Sequence, residues 1–136
     1  MTRRWRADSG GITPMVATFI LVIFMALGIS VDGSGMLRAR HRADDIAAEA
    51  ARAGGQALDL PRAITGEADE IDPAAARAAA LAYLDHADVH GTVVVPNGGQ
   101  TITVTVTIPY EPIFLGLIGL GPWNETGTAT ATLLTG

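Results

Sequence analysis

Hydrophobic and polar positions change rhythm three times along this chain. From Ser9 to Val31 there are 23 consecutive residues without a charge, between Asp8 and Asp32. Ile12 to Val31 gives twenty residues, roughly 30 Å as a helix, which matches a bilayer core. Pro14 falls in the first turn, where its missing N–H costs little. Thr13, Thr18 and Ser30 are too few and too scattered to form the polar face of a core helix. From Met36 to Leu58 the pattern turns to small residues at helical spacing: Ala43, Ile46, Ala47, Ala50, Ala53, Gly54 and Ala57. Asp32-Gly33-Ser34-Gly35, between the two, is expected to loosen the helix, because glycine disfavours a helix interior.

A second helix is predicted from Pro73 to about Ala87, with Asp72 as N-cap and proline at the first helical position. Ala76, Ala80, Leu81, Leu84 and Ala87 share one face, with Tyr83 beside it. The tail then adopts period two. Thr92–Val95 and Thr101–Ile108 flank Asn97-Gly98, a strong hairpin signal. In the second run Ile102, Val104, Val106 and Ile108 alternate with threonines, which predicts one buried and one exposed face. Thr126–Leu134 resumes the alternation as a third strand. Between them, Ile113–Gly121 is apolar and glycine-rich but too short to cross a bilayer as a helix. It is expected to pack on the sheet, or to touch the membrane or a partner.

The fold class is therefore α+β: an N-terminal transmembrane helix continuing into an Ala-rich helix, a second helix, and an antiparallel sheet of about three strands. The organisation predicted is a basic N-terminus over 1–11, a membrane helix over 12–31, an Ala-rich helix over 32–58 and an exported domain over 59–136. The small-residue stripe of 36–58 suits a helix lying on its own sheet and equally one packed against neighbouring subunits.

Charge sets the orientation. Arg3, Arg4 and Arg6 surround Trp5 ahead of the apolar run, as expected on the cytoplasmic side with the indole among the headgroups. Arg38, Arg40 and Arg42 follow the run, so the asymmetry is incomplete. Residues 33–136 carry twelve acids and six arginines, which agrees with export of that part. A cleavable signal with its cut near Ala26-Leu27-Gly28 is the competing reading. The length of the run and the alanine content beyond Asp32 argue against it.

Composition mainly excludes. Apolar residues make up 49% of 136, aromatics 5%, and mean hydropathy is +0.32, so the chain is not compositionally disordered. Absence of cysteine removes disulfides and thiolate metal sites. A net charge of −5 argues against nucleic acid as a partner. No phosphate loop or nucleophile elbow occurs, and serine is confined to Ser9, Ser30 and Ser34. Glu67, Asp69, Glu70 and Asp72 read as a solvated loop, the alternative being calcium. His86 and His90, flanked by Asp85 and Asp88, would share a helical face only if the helix persisted; otherwise they mark its end. No catalytic, cofactor or metal site is assigned, and the expectation is a non-enzyme.

Asp8-Ser9-Gly10-Gly11-Ile12-Thr13-Pro14 leads into the apolar helix, then Val31-Asp32-Gly33 and an Arg/Ala/Asp-rich helix. The last third reads Val104–Tyr110, Phe114–Gly119 and Gly127–Ala131. In this order the chain resembles the TadE/TadG-like pilus-assembly proteins, the pseudopilin-like components of bacterial Tad (Flp) tight-adherence systems. The resemblance implies a single-pass inner-membrane protein with its N-terminus in the cytoplasm and its C-terminal domain outside. It further implies a minor pilin or assembly factor. Its partners would be the bilayer, other pilus or secretion-platform subunits, and copies of itself.

Pilin precursors are cut after a glycine, with glutamate five residues beyond. Here the candidate cut follows Gly10 or Gly11, which puts Met15 or Val16 where the glutamate would stand. That departure argues for a chain that stays uncut in the membrane. Ala26 and Ser30, four apart, are the expected helix-packing pair, and Asp32 is the third assembly candidate. At the membrane edge Asp32 is either hydrated or paired with a neighbour's arginine. The alternative function is a membrane-tethered extracytoplasmic binding module unrelated to pili.

Overall fold

One helix carries the architecture. The computed structural model of the chain describes residues 12–57, 72–96 and 101–132. α1 runs unbroken over Ile12–Gly55, 44 residues or about 66 Å at 1.5 Å per residue. Its most apolar stretch has a mean hydropathy of 2.4 and lies almost wholly exposed, so α1 is long and apolar enough to cross a membrane. The helix passes straight through Gly33-Ser34-Gly35, where the sequence predicts loosening. Ser30 and Ser34 satisfy their own hydroxyls on the carbonyls of Ala26 (2.9 Å) and Val31 (2.8 Å). Gly35 lies under the ring of Tyr110, so tertiary packing there overrides a propensity cost of about 1 kcal/mol.

α2 spans Pro73–His86. Asp72 caps it as expected, its Oδ1 accepting the Ala74 N–H at 2.9 Å. It ends at a left-handed Asp88 (φ 53°), where the Val89 N–H reaches back to the Leu84 carbonyl at 3.2 Å. Ala76, Ala80 and Leu84 are buried, whereas Leu81, expected beside them, is 41% exposed.

Three strands form one antiparallel sheet in the order β1 (His90–Val94), β2 (Thr101–Tyr110), β3 (Trp123–Thr132). Val93 pairs with Val104, and Val104 with Ala129. The face assignment holds: Ile102, Val104 and Val106 are fully buried. On the other face Thr103 meets Thr130 and Thr105 meets Thr128 through their hydroxyls, at 3.0 and 3.4 Å. β3 begins three residues before the predicted Thr126, because Tyr110 pairs with Trp123 and lengthens the hairpin. A one-turn helix, α3 (Phe114–Leu117), lies in the β2–β3 connection.

The second half of α1 lies along β2 and β3 with α2 beside it. Its small residues Ala43, Ala47, Ala50, Ala51 and Gly54 are buried there, so the stripe serves this chain's own domain. Gly127 of β3 lies directly against the backbone of Ala43 and Asp44, an approach closed to any side chain. The basic N-terminus with Trp5, Gly10 and Gly11, the acids Glu67, Asp69 and Glu70, and the Asn97-Gly98 turn lie outside the described residues.

Candidate functional site

The first turn of any helix leaves backbone N–H groups without intrahelical partners. In α3 the N-cap residue is Ile113, whose side chain offers no acceptor. The acceptor comes instead from α1. Asp32 takes the N–H of Ile113 on Oδ1 at 2.8 Å, and those of Phe114 and Leu115 on Oδ2 at 3.0 and 2.7 Å. The Tyr110 hydroxyl donates to Oδ1 at 3.4 Å. Asp32 is thus a cap delivered from 81 to 83 residues away in the chain.

Its carboxylate is fully buried. Burial favours the neutral acid, but the bonds from Leu115, Ile113, Phe114 and Tyr110 together outweigh it and hold the group below the ordinary aspartate range. Tyr110 moves the other way. Burial, the Asp32 charge and its own bond to that carboxylate all keep the phenol protonated, against a smaller opposing pull from Arg38. Within this chain the Asp32 carboxylate is engaged by Ile113, Phe114, Leu115 and Tyr110.

Gly28 and Gly35 flank Asp32 on the same face of α1. A Cβ at Gly28 would stand 3.0 Å from Cβ of Phe114, so glycine lets α3 approach. Ala26 and Ser30 occupy the opposite side of the helix and are exposed. Gly33 continues that line, with open space where its Cβ would be. The structure therefore separates the three expected assembly residues. Asp32 belongs to the occupied face, and Ala26 and Ser30 to a bare one.

His86 closes α2 and His90 opens β1, with the left-handed Asp88 between them, so the two do not share a helical face. Among the described residues no three His, Asp or Glu side chains gather as a metal site.

Sequence reasoning missed the partners of Asp32. Backbone N–H groups leave no mark in residue identity, but Gly28, Asp32 and Gly35 follow a helical spacing that continues through Ala39 to Ala43. An acid inside such a small-residue line is the signal that something is gripped there.

Residues 10–57 match the model of the Tad family, described as putative Flp pilus-assembly TadE/G-like. The match covers α1 and its approaches, while the resemblance drawn from the strands lies outside it. No curated protein and no solved structure matches the chain.

Proposed function

We propose that this protein is a membrane-anchored, minor-pilin-like assembly component of a Tad/Flp-type pilus or a related secretion machine. It crosses the cell membrane once, with residues 1–11 in the cytoplasm and the sheet domain outside, and it works by helix packing rather than catalysis. The observation that carries this reading is the pair of opposed small-residue faces on α1. One face is filled by the chain's own loop and sheet, while Ala26, Ser30 and Gly33 stand bare on the other. Lipid supplies no hydrophobic drive between apolar helices, so close approach at small residues must provide the contact. The family match over this same helix supports the pilus setting. Met15 or Val16 at the place of the pilin glutamate supports a subunit that stays uncut after Gly10 or Gly11.

The test is Ala26→Leu combined with Ser30→Leu. Crosslinking of α1 to other pilus subunits or to its own copies should fall, with membrane insertion and domain stability intact. Unchanged crosslinking and pilus output would leave a passive tether carrying a binding module. Reporter fusions after Gly55 check the topology, and cytoplasmic reporter activity would reverse it.

A further inference from the structure

Between Glu111 and Glu125 the β2–β3 connection carries no charge, and most of its apolar side chains are exposed. Leu117 is 82% exposed and Ile118 66%, with Ile113, Phe114 and Leu120 also open. The connection does not project into free space. It lies against α1, where Phe114, Leu115, Leu117 and Ile118 enclose an apolar groove of about 290 Å³. The α1 wall of that groove runs from Ile29 back to Leu21, inside the apolar run itself.

The geometry points to this loop as a second membrane anchor, a finger that dips into the lipid leaflet beside α1 and packs against acyl chains along that groove. The inference rests on the reading of 12–31 as a membrane span. Three features fit lipid as the occupant. The groove is continuous with the bare surface of the span, so both meet the same medium. Apart from Gly28, which Phe114 already covers, its walls are large flexible side chains, whereas close helix contact in lipid favours small residues such as Ala26 and Ser30 on the opposite face of α1. Tyr110 and Trp123 also face each other at the base of the loop, and such aromatics favour the headgroup level.

Backbone polarity is what usually keeps irregular chain out of hydrocarbon. Here at least six of the eight N–H groups from Ile113 to Leu120 have acceptors within the protein. Asp32 takes those of Ile113, Phe114 and Leu115. The Leu115 and Gly116 carbonyls take those of Ile118, Gly119 and Leu120. The Asp32 clasp thus prepares the loop's backbone for a medium without water.

Because the chain has no cysteine, single cysteines report cleanly. The full chain carrying Leu117→Cys, Ile118→Cys, Phe24→Cys or Thr105→Cys is labelled with a fluorophore. Each is reconstituted in phosphatidylcholine/phosphatidylglycerol vesicles containing lipid with a nitroxide high on the acyl chain. Labels at 117, 118 and 24 should be quenched and that at 105 should not. Asp32→Ala should reduce quenching at 117 and leave that at 24 unchanged. Quenching at 24 with none at 117 or 118 overturns the inference, whether the loop then faces water or is covered by a second copy. No quenching at 24 overturns the span, and the inference with it.

Discussion

Asp32 accepts the backbone N–H of Leu115 at 2.7 Å, tying the middle of α1 to the tip of a hairpin 83 residues later. Two further N–H groups converge on the same carboxylate, so the clasp grips the loop by its backbone. Removing the acceptor should therefore release the loop without disturbing the sheet. In Asp32→Ala, amide exchange at 113–115 should speed up by on the order of tenfold or more, with β2 amides little changed. Asp32→Asn keeps one acceptor oxygen and should fall between the two. Equal protection in all three proteins would mean the clasp does not hold the loop.

The same pair sets the pH window. The carboxyl pKa of Asp32 is lowered on folding, so its contribution is complete above the ordinary aspartate value of about 4. It is lost as pH falls through the folded value. Tyr110 is raised, so its contribution is complete below about pH 10 and is lost as pH rises through its folded value. Loop protection, followed by exchange at 113–115 or by a label on Leu117, should be flat between these limits. Loss of protection near neutrality would assign control to another group.

Two glycines should respond in opposite directions. A side chain at Gly127 would strike the α1 backbone at Ala43 and Asp44, which cannot give way. Gly127→Val should cost about 3 kcal/mol or more, at the upper end of overpacking. Gly33 faces open space, so Gly33→Ala should be neutral or stabilise by up to about 1 kcal/mol through helix propensity. Thermal unfolding of the two variants in detergent decides this, and similar midpoints would contradict the helix–strand contact.

The two faces of β2 give a further contrast. Val104 is fully buried, and Val104→Asp should destabilise the domain by about 3 kcal/mol or more, as an unpaired buried charge does. Thr105 lies on the threonine face, where Thr105→Asp should cost about 1 kcal/mol or less. Denaturant midpoints that shift equally would put the wrong face inward.

Period and run length made much of this legible from residues alone. The twenty-residue run, the alternation of Val104 and Thr105, and the Asp72-Pro73 helix start each depend on neighbours in sequence. Strand ends were harder. The alternation predicts a second strand ending at Ile108, yet β2 runs on to Tyr110, which pairs with Trp123 of β3. Gly33 and Gly35 read as a weak point since propensity was the only local information, and the Tyr110 ring that covers Gly35 is remote in the chain. The grip of Asp32 on main-chain donors was invisible for the same reason.

An unbroken α1 has a mechanical consequence. A hinge at Gly33-Ser34-Gly35 would let the sheet domain swivel and absorb load as bending. Without it, and with the β2–β3 tip fastened one turn from Gly28, the domain cannot turn independently of the apolar segment. A pull on the sheet travels down the helix axis as tension, and a tilt of the lower half swings the upper half through the same angle. The protein behaves as a stiff lever about 66 Å long, with its load fixed to the arm.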